Sequence, residues 1–184
     1  MLTHCHFKQR FAFIAIICTS AVDKESRSHT ATHSHTATVV DTVSYKGLTP
    51  GKIYTVYGTV MVKGTCAELY QNGIPITGMT EFIPPAANDT VEVTFVVDTY
   101  QLQGMEIVVF ERLFVGSVMS STLESDVPIA VHEDINDTDQ TIKVPVIPFN
   151  PPHTGVDDHM GLLLVTMFTS GAGAIWILRK RKRH

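Results

Sequence analysis

Short runs of alternating apolar and polar residues fill the stretch from residue 38 to residue 148. The strand-like runs are "TVVDTVSY", "KIYTVYGTVMV", "PITGMTEFI", "TVEVTFVVD", "MEIVVFERLFV" and "QTIKVPVI". Turn signals such as "LTPG", "QNG", "PPAAND" and "LQG" separate them. Strands and helices do not alternate here, which argues against a parallel α/β sheet. The spacing predicts an all-β domain, an immunoglobulin-like β-sandwich over residues 38–148.

Polar residues interrupt the apolar stripes of three of these runs. Alternation places Glu111 on one face with Ile107, Val109, Leu113 and Val115, and Gln140 on one face with Ile142, Val144 and Val146. Thr42 shares its face with Val40, although Val39, Val43 and Tyr45 make the opposite face of that run apolar too. An unpaired buried polar group costs roughly 1–3 kcal/mol, so we expect these three side chains to meet one another.

Both ends of the chain differ from the β region. Residues 1–21 carry Lys8 and Arg10, then an apolar run and small residues, which is typical of a secretory signal peptide cleaved after about Ala21. A strand of an upstream domain is the alternative. Residues 22–37, "VDKESRSHTATHSHTA", lack large apolar side chains and are predicted to be a linker. Its histidines, His29, His33 and His35, lack the cysteine or carboxylate pattern of a metal site, so no metal or other cofactor is expected.

The C-terminal end is predicted to anchor the chain. Residues 160–178 form an uncharged stretch long enough for a transmembrane helix, and residues 179–184, "RKRKRH", form a basic tail that would stay in the cytoplasm. The rest of the chain is acidic, since the formal net charge is −4, and this argues against a nucleic-acid partner.

The linker before this helix, residues 149–159, contains "NPPHTG". Together with the helix and the basic tail it resembles the LPXTG-like sortase signal of Gram-positive surface proteins. Pro152, Thr154 and Gly155 match the signal, whereas Pro151 stands where leucine is usual. The resemblance implies that a sortase cuts after Thr154 and joins it to peptidoglycan or to a pilus subunit. A plain membrane anchor is the alternative.

The β region itself resembles a second known group. "VVDTVSYKGLTPGKIYTVYGTVM", "TVEVTFVVDTYQLQGMEIVVFERL" and "VHEDINDTDQTI" are similar to the Thr–Gln ester-bond domains, or VaFE repeats, of Gram-positive surface adhesins. The resemblance runs from about Val39 to Val146, with Val62 where many relatives have aspartate. It implies an immunoglobulin-like domain with a self-made ester between a first-strand threonine and a last-strand glutamine.

By that resemblance, Thr42 and Gln140 would form the crosslink, and His132, Glu111 and Asp137 would assist it. Imidazole accepts a proton near neutral pH, and an adjacent acid would fix its tautomer. A buried Glu111 would have a raised pKa and would donate a hydrogen bond to the oxyanion.

The sequence therefore predicts a stalk domain of a cell-surface, wall-anchored adhesin or pilin that crosslinks itself once and is not a turnover enzyme. Two alternatives remain. One is a surface module that binds a host ligand without a crosslink, although no cluster of aromatic residues or arginine suggests a hot spot. The other is a hydrolase, which would need an open cleft.

Overall fold

The computed structural model describes residues 15–119 and 126–148. The chain divides into two compact units, residues 1–147 and 148–184, and of the second unit only Pro148 is described. Within the described residues, no helix is long and apolar enough to cross a membrane. The first part of the predicted signal peptide, the sortase signal, the apolar stretch 160–178 and the basic tail lie outside the described residues.

The described chain is built from eleven strands and one 3₁₀ helix, Thr99–Leu102. The strands are β1 (Ile16–Asp23), β2 (Ala37–Lys46), β3 (Tyr54–Val62), β4 (Ala67–Glu68), β5 (Tyr70–Gln71), β6 (Ile74–Pro75), β7 (Thr77–Phe82), β8 (Asp89–Val97), β9 (Glu106–Val115), β10 (Ala130–His132) and β11 (Thr141–Lys143). The predicted runs correspond to β2, β3, β7, β8, β9 and β11.

Two antiparallel sheets enclose the core. The three-stranded sheet has the order β1-β2-β8, and the six-stranded sheet has the order β10-β9-β3-β4, with β11 also on β9 and β7 on β3. Strands β5 and β6 form a separate hairpin. Apolar side chains of both sheets make one cluster, which includes Val39 and Phe95 from one sheet and Val60 and Leu113 from the other. The predicted all-β sandwich is confirmed.

The alternation within β9 explains how a charged residue enters this core. Ile107, Val109, Glu111 and Leu113 are all fully buried. Successive strand residues face opposite sides, so the three apolar side chains carry Glu111 inward with them. Only the strand's last residue departs from the prediction, because Val115 is exposed. Val146, beyond the end of β11, is exposed as well.

Strand β1 corrects the predicted start of the domain. It pairs with β2 along its whole length, from Ile16 opposite Lys46 to Asp23 opposite Val39. Ile17 and Ala21 are buried in the core. A cleavage after Ala21 would remove most of an edge strand, so the boundaries predicted at residues 21 and 38 are wrong. The apolar run that suggested a leader continues into a strand of this sandwich.

The segment predicted to be a linker is also part of the fold. Asp23 is fully buried, and its carboxylate accepts hydrogen bonds from Ser26 N at 2.8 Å and from Thr32 Oγ1 at 3.2 Å. Ala31 is buried, and its amide donates to the carbonyl of Lys143 at 2.9 Å. The loop that connects β1 and β2 therefore has a defined structure, because polar side chains form hydrogen bonds with its backbone groups.

The free edge of β9 is shared by two short strands with a loop between them. β10 pairs with Glu111–Leu113 through His132 opposite Glu111, and β11 pairs with residues 106–108. The intervening loop, residues 133–140, leaves β9 between the two pairings. Its two ends therefore lie on the same edge of the sheet, and they carry His132 and Gln140.

Candidate functional site

Gln140 lies at the end of this loop and points into the core. Its side chain is fully buried, and its Nε2 donates a hydrogen bond to Asp41 Oδ1 at 3.3 Å. Its backbone carbonyl accepts from Val109 N at 3.2 Å, which holds the residue against β9. Gln140 Oε1 is buried without a hydrogen-bond partner among the described residues. The amide is thus held by its nitrogen, and its carbonyl oxygen is left without a donor.

Asp41 and Glu111 face each other from opposite sheets. Both are fully buried, Asp41 on β2 and Glu111 on β9. Burial raises the pKa of Glu111 well above its ordinary value, and the neighbouring charge of Asp41 raises it further. Burial also raises the pKa of Asp41, against hydrogen bonds to Glu111 and Gln140 and the positive charge of His132 when that ring is protonated, which lower it.

This carboxyl pair requires a proton. Within the described residues, Asp41 Oδ2 and both carboxyl oxygens of Glu111 have no hydrogen-bond donor as long as both groups are ionised. Two buried carboxylates in contact cannot both remain charged, because neither can donate to the other. One proton between Asp41 and Glu111 removes the repulsion and forms a hydrogen bond between one oxygen of each group. The pair is therefore a neutral acid next to a carboxylate.

Thr19 brings a hydroxyl group to the same place from β1. Its side chain is 8% exposed, and its Oγ1 is buried without a well-formed hydrogen bond to any described residue. The hydroxyl nevertheless lies close enough to Glu111 to oppose the rise of that residue's pKa. Two residues along β1, Ala21 N donates to the carbonyl of Asp139 at 2.9 Å, which ties the strand to the loop that ends at Gln140.

His132 completes the cluster at its margin. Its Nε2 lies 2.9 Å from Asp137 Oδ2, and the side chains are 3% and 12% exposed. Asp137 is held by the loop, since its Oδ1 accepts from Asp139 N at 2.8 Å and its carbonyl accepts from Thr141 Oγ1 at 2.6 Å. With Nε2 committed to Asp137, the other ring nitrogen, Nδ1, is the free acceptor, buried without a partner in the described part of the chain.

Thr42 lies outside this cluster, contrary to the expectation that it faces the core. Strand β2 buries Val39, Asp41, Val43 and Tyr45, so Thr42 projects from the outer face, half-buried between Ser20 and Glu92 on the neighbouring strands. Val39, Val43 and Tyr45 outweigh Val40 in the burial of apolar surface, and this decides which face turns inward. The structure brings together His132, Asp137, Glu111 and Gln140 of the predicted residues, but not Thr42.

The sequence interpretation missed Thr19 and Asp41. Thr19 was overlooked because its strand was assigned to a leader, although "ITA" at the alternate positions 17, 19 and 21 marks one inward stripe. Asp41 was overlooked because Thr42, its neighbour on β2, was predicted to face the core, which would turn Asp41 toward the outer face. Val62 stands where many members of the similar family have aspartate. It pairs with Ile107 on β9, whereas Gly58 is the residue of β3 that pairs with Glu111. Val62 therefore does not remove a side chain from this cluster.

These groups are of the types that an acyl transfer requires. Thr19 carries a hydroxyl, Gln140 a carbonyl with an amine that can leave, His132 an imidazole that can act as a base, and the Asp41–Glu111 pair a carboxyl that can act as an acid. In the described residues, no group of three or more His, Cys, Asp or Glu side chains could hold a metal ion. The members of the cluster are nearly inaccessible to solvent, so the groups within their reach are those of the chain itself.

Comparison with known proteins places the chain in a family. The family of T-Q ester bond containing domains matches residues 15–144, a span that includes β1 and every residue of the cluster. No curated protein matches the chain.

Two solved structures have a similar fold, both of a bacterial adhesin from Mobiluncus mulieris that contains intramolecular disulfide, isopeptide and ester bond cross-links. The identities are 16% and 15%, with TM-scores of 0.53 and 0.54. Each match covers 71% of this chain, which spans only 57% of the adhesin chain. At this identity the likeness concerns the fold alone.

Proposed function

The chain belongs to the family of T-Q ester bond containing domains, and we propose that it forms its own ester between Thr19 Oγ1 and the side-chain carbonyl carbon of Gln140. One observation carries this assignment. The hydroxyl of Thr19, the amide of Gln140 and the Asp41–Glu111 pair are buried in one cluster, with the amide nitrogen on Asp41. The crosslink would join the edge strand β1 to the residue that precedes β11.

His132 would start the reaction as a base. A threonine hydroxyl is a weak nucleophile unless a neighbouring group removes its proton. Nδ1 of His132 is the acceptor in this proposal, because Nε2 is held by Asp137, whose carboxylate stabilises the imidazolium that forms. Thr19 Oγ1 would then bond to the carbonyl carbon of Gln140.

The Asp41–Glu111 pair would complete the ester-forming reaction. The proton between Asp41 and Glu111 would stabilise the charge that develops on Gln140 Oε1, the oxygen that lacks a donor. When the intermediate collapses, the C–N bond breaks beside Asp41, which accepts the amide hydrogen in the ground state. The acid of the pair protonates the departing amine, ammonia leaves, and the proton on His132 returns to the pair.

The same burial argues against a turnover enzyme. Asp41, Glu111 and Gln140 are fully buried and His132 is 2% exposed, which leaves no room for an outside substrate. A surface cavity of about 570 Å³ is lined instead by residues 62–65 and 104–106, away from these groups. The reaction would occur once and in place, and exclusion of water would protect the ester.

We infer a mechanical use for the crosslink. Thr19 and Gln140 enclose almost the entire domain, and closing a loop of about 120 residues stabilises a fold by roughly 4–5 kcal/mol on the chain-entropy estimate. A pull on the two ends of the domain would load a covalent bond in addition to the strand ladders. This supports the function of a stalk in a surface protein under shear, an adhesin or pilin of a Gram-positive cell.

The "NPPHTG" segment and the apolar and basic residues after it support attachment of this stalk to the wall or to a pilus by a sortase. Substitution of Thr154 by alanine should keep the protein in the membrane fraction, whereas the wild type should move to the wall fraction. Equal fractionation of the two proteins would contradict sorting and favour a plain membrane anchor.

A matched pair of threonine variants tests the crosslink. Thr19→Val and Thr42→Val remove one hydroxyl each from the neighbouring strands β1 and β2 at nearly constant volume. Intact mass spectrometry of the denatured protein should show the wild type and Thr42→Val short by one ammonia, and Thr19→Val at full mass. The reverse pattern would restore Thr42 as the nucleophile, and a wild type at full mass would contradict the ester.

A further inference from the structure

A row of three residues crosses the six-stranded sheet beside the candidate site. Gly58 of β3 lies directly opposite Glu111 on β9 and directly opposite Gly78 on β7. Residues that pair directly in antiparallel strands face the same side of a sheet. Positions 58 and 78 therefore face the core together with the carboxyl of Glu111.

The ring of Phe95 fills the space above Gly58 and part of the space above Gly78. A Cβ atom on Gly58 would lie 2.4 Å from Cζ and 2.9 Å from Cε1 of Phe95. A Cβ atom on Gly78 would lie 2.6 Å from the carbonyl oxygen of Thr94, 2.8 Å from Val93 Cγ1 and 2.9 Å from Phe95 Cε1. Neither glycine has a positive φ, so the backbone does not require glycine at either position. Gly58 instead makes room for the ring of Phe95, and Gly78 makes room for β8 at Val93, Thr94 and Phe95.

Phe95 approaches from the opposite sheet and borders the carboxyl pair. It is fully buried on β8, one inward position from Val93, which pairs directly with Asp41 on β2. Side chains that pair directly across antiparallel strands have Cβ atoms about 5 Å apart. Because Gly58 pairs with Glu111, a ring that occupies the position above Gly58 lies next to the side chain of Glu111. The ring is thus the apolar neighbour of Glu111 along this row of the sheet.

We propose that Phe95, seated on Gly58 and Gly78, keeps water out of the crosslinking site and thereby sets the lifetime of the ester. This inference rests on the proposed Thr19–Gln140 crosslink. Hydrolysis would add the oxygen of one water molecule to the carbonyl carbon of residue 140, break its bond to Thr19 Oγ1 and return a proton to that oxygen. Residue 140 would then carry a carboxylic acid and the protein would gain the mass of one water.

The test compares two phenylalanines of equal burial. Phe114 is 1% exposed and follows Leu113, which faces the core, so its ring lies on the other face of the six-stranded sheet. Crosslinked full-length wild type, Phe95→Leu and Phe114→Leu are kept at mildly alkaline pH under folding conditions, and intact mass is followed. We expect Phe95→Leu to hydrolyse faster than wild type by on the order of tenfold or more, and Phe114→Leu to match wild type.

The outcomes separate this inference from the crosslink itself. Equal hydrolysis of the two variants, in a wild type that is short by one ammonia, would overturn the role of Phe95 alone, since loss of core volume would then explain both rates. A wild type at full mass would overturn the crosslink and this role with it. Circular dichroism verifies folding. Should Phe95→Leu fail to fold, Phe95→Met, whose unbranched and flexible side chain adapts to irregular space in a core, replaces it with the same two outcomes.

Discussion

Two histidine–aspartate pairs in the described residues have nearly the same geometry and very different surroundings. His132 Nε2 lies 2.9 Å from Asp137 Oδ2, and His35 Nδ1 lies 3.0 Å from Asp98 Oδ2. The His132 side chain is 3% exposed, whereas that of His35 is 77% exposed. The distance between the two partners is therefore not what distinguishes these pairs.

The two imidazole rings also differ in the surroundings of the part that does not contact the aspartate. Nδ1 of His132 is buried, whereas the ring of His35 packs at a tilt against the ring of Tyr100 at the surface, with centroids 4.6 Å apart. The outer pair ties the ordered loop between β1 and β2 to the 3₁₀ helix, and water screens it. The inner pair is buried, and in the proposed reaction it would supply the base. The proposal thus gives the buried pair a chemical function and the exposed pair a function in attaching a loop.

Removal of each histidine should give the largest contrast. We expect His132→Ala to lose the base and remain at full mass, with an unfolding free energy lower by roughly 4–5 kcal/mol because the covalent loop is absent. His35→Ala should form the crosslink as wild type does. Intact mass and denaturant unfolding measure the two effects. A crosslinked His132→Ala, or a His35→Ala protein without the crosslink, would break the distinction.

The same substitution in the two aspartates should give a smaller contrast in rate. Asp137→Asn keeps the shape of the partner but no longer stabilises an imidazolium, and we expect crosslinking to slow by roughly 10²–10⁴-fold. Asp98→Asn should not change the rate. Protein isolated in denaturant before crosslinking is refolded, and its mass is followed over time. Equal rates for the two variants would show that Asp137 only supports the loop.

The sequence predicted the parts of the fold and site that depend on local alternation. Glu111 and Gln140 each continue an apolar stripe, so their burial followed from the period of two. His132 and Asp137 were assigned through the resemblance to ester-bond domains, and a short loop before Gln140 brings both of them to the same edge of β9.

Thr19 and Asp41 could not be found in this way, for two physical reasons. The run before Thr19 is apolar enough to suit a leader or an edge strand, and only its pairing with β2 separates the two. In β2 both faces carry valine, so the strand's own pattern favours the inward face only through the larger apolar surface of Val39, Val43 and Tyr45, a difference that the choice of Thr42 overrode. The polar loop after Asp23 likewise folds because of hydrogen bonds that its composition does not reveal.

The smallest expected difference is in the direction in which pH changes stability. The buried Asp41–Glu111 pair and the surface residue Asp98 should have opposite effects. Burial raises the pKa values of Asp41 and Glu111 above their ordinary values of 3.8 and 4.5, so around and above those values the folded protein binds more protons than the unfolded chain. Their contribution is present at low pH and is lost as pH rises through the raised pKa values. A hydrogen bond from His35 lowers the pKa of Asp98 below 3.8, so its contribution is lost as pH falls through that range.

Uncrosslinked Thr19→Val is the background for this measurement, because it removes the covalent loop and retains both carboxyls. Its unfolding free energy should fall as pH rises above about 4.5, and adding Glu111→Gln should flatten that fall, because only one titrating acid remains in the core. Adding Asp98→Asn should instead reduce the loss of unfolding free energy below about pH 3.8 and leave the fall above about pH 4.5 unchanged. Denaturant unfolding across pH measures both limbs. If Glu111→Gln leaves the upper limb as steep as before, the proton does not lie between Asp41 and Glu111, and the acid that assists departure of ammonia must be sought on His132.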